Sequence, residues 1–116
     1  EKNRIIILAA GTGNPYFSTD TAATLRAAEM NCDVLFKGTS VDGVYESDPK
    51  LNPNSKKYST ISYKKLLEDN LKVMDSSAIT LARDNNIPMV VFSILEESSF
   101  FKAVNAKNPY TIISEK

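Results

Sequence analysis

The ten residues from Gly11 to Asp20 combine glycines, hydroxyl groups and an amide in a pattern that suits ligand binding. Gly11 and Gly13 lack a Cβ atom, so the backbone amides can approach a ligand closely and adopt positive φ angles. Neutral hydrogen-bonding groups and two aromatic rings accompany them: Thr12, Asn14, Tyr16, Phe17, Ser18 and Thr19. This composition predicts an amide-rich cup with an aromatic wall that holds a base, a sugar and a phosphate. The alternative is a tight loop that only caps the following helix.

Two further candidate segments begin at the end of the next predicted strand. Lys37-Gly38-Thr39 ends that strand, where Lys37 could neutralise phosphate charge and Thr39 could hydrogen-bond a base or a phosphate. Farther along, Tyr45 could stack on a purine, and Asp48 could accept a hydrogen bond from an exocyclic amine or a ribose hydroxyl. The alternatives are a solvated lysine at a strand end and a hairpin followed by an Asp-Pro turn.

Two acidic residues, Asp20 and Asp75, stand at the starts of predicted helices. Helix capping alone would explain both of them. A carboxylate that points into a phosphate site could instead orient a lysine or Mg²⁺ for phosphoryl transfer, a reaction that depends on positioning and charge neutralisation. The turn after Gly11 is neither a Walker A loop nor a dinucleotide-binding Gly-x-Gly-x-x-Gly motif, because no Gly-Lys-Ser/Thr and no third glycine follow.

The composition narrows the chemistry. A length of 116 residues suits one domain, and 42% hydrophobic with 24% charged residues is typical of a globular protein. Fourteen basic residues balance 14 acidic ones, so neither nucleic acid nor an anionic membrane is an expected partner. No apolar run reaches the roughly 20 residues that span a bilayer. The absence of histidine excludes Ser-His-Asp and Cys-His catalysis and a usual zinc site, so no resident metal site is predicted. The single Cys32 favours a reducing compartment.

Strand-like and helix-like segments alternate along most of the sequence. Buried strands are predicted at residues 4–10, 33–37, 89–94 and 110–114. Helices are predicted after the caps at residues 18–20 through residue 30, from Ser62, from Asp75 or Ser76, and at residues 98–106. The first two strands flank a helix, which predicts that they are parallel. The predicted fold class is therefore α/β, with a largely parallel sheet and helices on both faces.

Three blocks carry a family resemblance. They are Ala-Gly-Thr-Gly-Asn-Pro-Tyr-Phe-Ser-Thr-Asp at residues 10–20, Asp-Val-Leu-Phe-Lys-Gly-Thr-x-Val-Asp-Gly-Val-Tyr-x-x-Asp-Pro at residues 33–49, and Leu-Lys-Val-Met-Asp at residues 71–75. In order and spacing they resemble the bacterial uridylate (UMP) kinases, which belong to the amino-acid kinase fold family. The first block is specific to UMP kinases, whereas Val-Asp-Gly-Val-Tyr is shared with aspartate, glutamate and carbamate kinases.

The resemblance implies transfer of the γ-phosphoryl group of ATP to UMP with Mg²⁺, which gives UDP in pyrimidine biosynthesis. It implies that Asp20 and Asp75 lie near the transferred group. ATP is expected to contact Thr39, Tyr45 and Asp48, with Lys37 as a further candidate. UMP is expected against Thr12, Gly13, Asn14, Pro15, Tyr16, Phe17, Ser18 and Thr19. The family also implies a cytoplasmic homohexamer regulated by GTP and UTP.

One departure from the family pattern is large. The family's N-terminal half, with a Lys-Leu-Ser-Gly phosphate loop, has no counterpart here, so residues 1–116 are expected to be the C-terminal ATP-binding half of a longer kinase. This half is expected to be inactive alone, because an electrostatic contact such as the missing lysine commonly contributes several kcal/mol to transition-state stabilisation. Three alternatives are another amino-acid or carbamate kinase, a non-catalytic nucleotide-binding or storage protein, and a pure interaction module. The Asn-Pro-Tyr-Phe block argues against the first, and the lack of histidine ligands argues against a metal or oxoanion store.

Overall fold

The computed structural model describes residues 2–107 and 109–115, and four helices and six strands occur among them. The elements are α1 Thr19–Glu29, β1 Leu35–Thr39, β2 Val44–Tyr45, β3 Lys57–Tyr58, β4 Thr60–Ser62, α2 Tyr63–Glu68, α3 Ser76–Asp84, β5 Met89–Ser93, α4 Ser99–Val104 and β6 Tyr110–Ser114. Across the residues that are described, no helix combines the length and the apolar character needed to cross a membrane.

Side-chain caps fix the starts of α1 and α2, two of the three helices that follow a serine; Ser98, before α4, makes no such hydrogen bond. The Ser18 hydroxyl accepts a hydrogen bond from the Thr21 amide at 3.3 Å at the start of α1. Ser62 caps α2 in the same way, accepting from the Lys65 amide at 3.1 Å. Each cap satisfies an amide that has no partner within the helix. Both starts agree with the sequence prediction, since these signals depend only on neighbouring residues.

The four-stranded sheet has the order β1-β5-β6-β4. Strand β1 is parallel to β5 and β4 is parallel to β6, whereas β5 and β6 are antiparallel. Strands β2 and β3 form a separate antiparallel pair. The sheet is thus mixed, and two of its three pairings follow the predicted parallel arrangement.

Helices cover both faces of this sheet, as predicted. On one face, Met89 and Val91 of β5 and Ile113 of β6 pack with Leu66 of α2 and Ile79 of α3 in the main core. On the other face, Phe36 of β1 and Phe92 of β5 form an edge-to-face pair, and Phe100 of α4 packs against both rings with centroids 6.1 and 6.2 Å away. The period-2 alternation of strand side chains separates these two layers.

The predicted buried strand at residues 4–10 is wrong for this structure. Residues 2–10 form no helix or strand, and Ile5 and Ile7 are 95% and 88% exposed. A strand that is apolar on both faces needs paired neighbours on both sides, and none of the strands described above pairs with it. The predicted βαβ unit around α1 is consequently absent, and the parallel partner of β1 is β5.

Tyr63, at the start of α2, makes a buried hydrogen bond that generates a stability prediction. Its side chain is 2% exposed, and its hydroxyl donates to the carbonyl of Ile87. Burial, and secondly the charge of Glu115, raise the pKa of Tyr63 from 10.0 to about 12. A raised folded-state pKa means that this stabilisation is complete below pH 10 and is lost as the pH rises from about 10 to 12.

We expect Tyr63→Phe to lower the free energy of unfolding near pH 7 by about 1 kcal/mol, because the Ile87 carbonyl loses its partner. The variant should also show a shallower loss of stability between pH 10 and 12. Urea unfolding followed by circular dichroism across this pH range measures both effects. Tyr16→Phe is the matched control, since Tyr16 is fully exposed. If the stability of Tyr63→Phe fell as steeply between pH 10 and 12 as that of the parent, Tyr63 would not be the group responsible for this loss.

Candidate active site

The turn before α1 presents its polar and aromatic groups to solvent. Gly11 and Gly13 have φ angles of +66° and +78°, the left-handed region that glycine adopts without strain. The hydroxyl of Thr12 accepts a hydrogen bond from the Asn14 amide at 3.0 Å, which closes the turn on itself. The predicted aromatic wall is present but unpacked, because Phe17 is exposed and Tyr16 fully so. The turn is an open surface site and not an enclosed cup.

The N-termini of α1 and α3 meet beside this turn. The hydroxyl groups of Thr21 in α1 and Ser77 in α3 lie 3.1 Å apart and share a hydrogen bond. Asp20 stands in the first turn of α1, where Ser18 is the capping residue. Asp75 is the N-cap residue of α3 by position, yet its side chain makes no capping hydrogen bond. Capping therefore does not explain either carboxylate, and both stay candidates for the chemistry predicted from the sequence.

The carboxylate of Asp20 forms an ion pair with Lys37 of β1. The Nζ–Oδ1 distance is 2.5 Å, and the two side chains are only 21% and 24% exposed. Lys37 is therefore not the solvated strand-end lysine of the simpler interpretation. It reaches from β1 across to α1, so that it joins the strand end to the turn.

A cavity of about 490 Å³ brings together the three residues predicted to contact ATP, Thr39, Tyr45 and Asp48. This volume lies within the range of about 300–1,000 Å³ that small-molecule sites occupy. Lys37 is not part of the cavity lining, and neither is any residue from Gly11 to Asp20. Three of the residues predicted to contact ATP therefore line one cavity, and the further candidate Lys37 lies outside its lining.

Tyr45 and Asp48 are held in place around this cavity by local contacts. The Tyr45 hydroxyl donates to Asp42 Oδ1 at 2.6 Å, and this hydrogen bond, more than burial, raises the pKa of Tyr45. The ring is therefore neutral at pH 7 and fixed at its hydroxyl end. Asp48 accepts from the Lys50 amide at 2.9 Å, which is the turn contact that the simpler interpretation predicts.

The connection between α2 and α3 supplies cavity walls that the sequence prediction missed. Residues 69–73 line the 490 Å³ cavity, and residues 70–76, including Asp75, line a second cavity of about 430 Å³. Asn70 takes a left-handed conformation with φ +49° where the chain leaves α2. The signal for this wall is the Leu-Lys-Val-Met-Asp block at residues 71–75, in which a role is predicted from the sequence for Asp75 alone.

The carboxylates present fit a magnesium ion that is held mainly by phosphates. No group of three or more acidic, His or Cys side chains that could hold a metal occurs in residues 2–107 and 109–115. Magnesium usually takes one or two protein carboxylates together with substrate phosphates and water. Asp75, whose carboxylate caps nothing, suits such a ligand, whereas Asp20 is engaged by Lys37.

Comparisons with known proteins find relatives of this chain in both sequence and fold. A family model described as the amino acid kinase family matches residues 1–93. The chain is similar to the uridylate kinase of Erythrobacter litoralis, with 58% identity over 113 residues, and to that of Rickettsia felis, with 57% identity over 115 residues. These matches cover 97% and 99% of the chain. Among solved structures, it is similar to the UMP kinase of Ureaplasma parvum with a TM-score of 0.86 and 47% identity over 90% of the chain.

The chain spans about half the length of the proteins it matches. It covers 48% of both uridylate kinases and 45% of the Ureaplasma parvum structure. The likeness therefore extends over nearly all of this chain but over one half of each relative.

Gly43, in the wall of the 490 Å³ cavity, leaves no room for a side chain. A Cβ atom there would lie 2.5 Å from the hydroxyl oxygen of Thr111 and 3.0 Å from Cδ of Lys57. That hydroxyl accepts from the Val44 amide at 2.9 Å and donates to the Tyr58 carbonyl at 2.5 Å, so it ties β2 and β3 to the main sheet.

We expect Gly43→Ala to lower the free energy of unfolding by about 1–3 kcal/mol, because the new methyl group overpacks this junction. In the double variant with Thr111→Ala, the clashing oxygen is gone. The double variant should thus be more stable than the sum of the single losses predicts, by about 1 kcal/mol. Urea unfolding of the four proteins of this cycle measures the coupling. Strictly additive losses would show that the clash is not the cause.

Proposed function

Since this chain belongs to the amino acid kinase family, we propose that it is the C-terminal, ATP-binding half of a uridylate kinase, which transfers the γ-phosphoryl group of ATP to UMP. The identities of 58% and 57% to two uridylate kinases support this activity over the other kinases that share the fold. Within these matches, residues 10–20 resemble the acceptor segment that is specific to UMP kinases, which supports the same activity.

One observation carries the proposal: two candidate nucleotide sites flank a single strand end. Thr39, the last residue of β1, lines the 490 Å³ cavity, and Lys37 of the same strand pairs with Asp20, the residue after the open turn. Ligands of α/β sheets bind beyond the carboxyl ends of parallel strands, and β1 is parallel to β5. A donor nucleotide in the cavity and an acceptor at the turn would bring their phosphates toward this edge.

In this arrangement the chain's residues act by binding and positioning. Tyr45 offers a fixed, neutral ring on which a purine can stack, and Asp48 and Thr39 offer oxygen atoms for the base or ribose. The turn offers backbone amides and the side chains of Thr12 and Asn14 to the acceptor. The N-termini of α1 and α3, joined by Thr21 and Ser77, direct partial positive charge to the phosphates between the sites.

Mg²⁺, when bound with ATP, would supply positive charge that neutralises the phosphates. Asp75 is the carboxylate that would hold it, since it makes no capping hydrogen bond. GTP and UTP as effectors and a cytoplasmic hexameric assembly belong to the same proposal and rest on the resemblance alone.

The two-site arrangement predicts that single substitutions separate the two nucleotides. We expect Tyr45→Ala to weaken ATP binding about 10-fold through lost stacking and to leave UMP binding unchanged. We expect Asn14→Ala to weaken UMP binding about 10-fold through lost hydrogen bonds and to leave ATP binding unchanged. Isothermal titration calorimetry with UMP and a non-hydrolysable ATP analogue, on the protein encoded by the complete gene, measures all four affinities.

Two matched controls accompany this experiment. Tyr45→Phe keeps the ring and loses only the bond to Asp42, so it should bind ATP nearly as the parent does. Asn54→Ala changes an exposed loop asparagine outside both sites and should bind both nucleotides normally. A parent protein that binds neither nucleotide, or variants that weaken both equally, would overturn the proposal.

The proposal also predicts that the complete gene product catalyses the reaction and that residues 1–116 alone do not. A coupled assay with UMP, ATP and Mg²⁺ should detect UDP formation by the complete gene product and none above background by residues 1–116 alone. Near-normal turnover by residues 1–116 would show that this half needs no further phosphate-binding residues.

A further inference from the structure

Lys37 occupies an unusual place for a lysine, at the centre of β1 on the face of the sheet that carries the main core. Its register partner is Val91, which is completely buried, and next to Val91 on the same face lies Thr111, also completely buried. Surface lysines normally extend their ammonium group into water. The side chain of Lys37 instead ends on Asp20 and is 21% exposed.

Stability gives a weak account of this ion pair. Removing two charges from water costs free energy that their attraction often only balances, so apolar replacements of such pairs are frequently neutral or stabilising. Asp20 is not needed as a helix cap either, because Ser18 makes that hydrogen bond. The backbone of Asp20 is separately anchored, since its carbonyl accepts from the Thr24 hydroxyl at 3.0 Å. The pair therefore has a fixed geometry without a structural task that requires its charges.

The location of the ammonium group suits a phosphate. Asp20 directly follows Thr19, the end of the open turn, and Lys37 precedes Thr39 of the cavity by two residues, about 6.6 Å along a strand. A lysine ammonium group has three donors, and in the part of the chain that the structure describes Nζ makes one hydrogen bond, to Asp20 Oδ1. Two donors are left for oxygen atoms of a ligand at the junction of the two sites.

We propose that Lys37 binds the phosphate of the nucleotide at the Gly11 to Thr19 turn and that Asp20 is the positioning residue that aims its ammonium group. This inference rests on the proposed function, because it needs a nucleotide at the turn. It differs from the sequence interpretation in one respect, because Lys37 serves the acceptor and not ATP. It also names Lys37 as the lysine that Asp20 orients.

The test compares UMP with uridine, which lacks the phosphate, in the protein encoded by the complete gene. We expect Lys37→Met to weaken UMP binding about 10-fold or more, the usual loss for a hydrogen bond to a charged group, and to leave uridine binding within about twofold. Lys37→Arg keeps the charge and should recover most of the UMP affinity. Lys64→Met is the matched control, since Lys64 forms an exposed ion pair within α2, away from both cavities.

The role of Asp20 is read from kinetics. Asp20→Asn removes the carboxylate that orients the ammonium group of Lys37 but keeps the charge of that group. We therefore expect kcat to fall on the order of 100-fold, as for other transition-state contacts, while KM for ATP stays nearly constant. Asp20→Asn in the Lys37→Met background should add little, because the two residues act as one unit. Additive losses in the double variant would overturn the positioning role.

The outcomes separate this inference from the function it rests on. Equal weakening of UMP and uridine by Lys37→Met would show a structural role and overturn the inference, as would unchanged UMP binding. A parent protein that binds neither UMP nor uridine would overturn the proposed function itself. Because uridine reports on the intact turn, a misfolded variant cannot be mistaken for a supporting result.

Discussion

The parallel pairing of β1 with β5 is the contact on which the candidate site depends. Five registered pairs, from Leu35 with Met89 to Thr39 with Ser93, fix which face each side chain of β1 occupies. If the β1–β5 register shifted by one residue, the side chain of Lys37 would lie on the opposite face of the sheet. It would then lie among the rings of Phe92 and Phe100 and away from Asp20. Gly38 permits this register, since a Cβ atom there would lie 3.3 Å from the Phe92 ring and closer still to Ile94. The electrostatic partner of Asp20 is therefore set by hydrophobic packing on the opposite face.

The elements that the sequence predicts well are those whose signals are local. Ser18 and Ser62 cap their helices through amides three residues away, and the predicted strand at residues 110–114 coincides with β6. The relations that the sequence does not predict are nonlocal. The antiparallel direction of β6 against β5 and the pairing of β2 with β3 across residues 46–56 depend on contacts between distant segments. No periodicity within either segment specifies its partner.

In the candidate site, too, the local relations could be predicted from the sequence and the nonlocal ones could not. Thr39, Tyr45 and Asp48 could be predicted together because they follow one strand end within ten residues. The opposite wall at residues 69–73 comes from the α2–α3 connection, and only packing of these helices brings it to the cavity. Lys37 was predicted as a candidate, but its partner could not be: nothing in the spacing of 17 residues between Asp20 and Lys37 says that they touch. Because of this ion pair, Asp20 and Lys37 are interpreted together as one charged unit and no longer as a helix cap and a solvated strand-end lysine.

The strand predicted at residues 4–10 and absent from the structure shows what positions the turn before α1. Ile5, Ile6, Ile7 and Leu8 are all more than half exposed, and full burial of such a side chain contributes about 1.5–3 kcal/mol. Their apolar surface contributes little to this fold, yet the β1–β5 pairing and the contact of α1 with α3 form without it. On its far side the turn continues into α1, whose start is fixed by the Ser18 cap, and Asp20 in the first turn of that helix contacts Lys37. An element that docked on residues 5–8 would order the near side of the turn and leave the geometry of Lys37 unchanged, because that geometry is already fixed by β1 and α1.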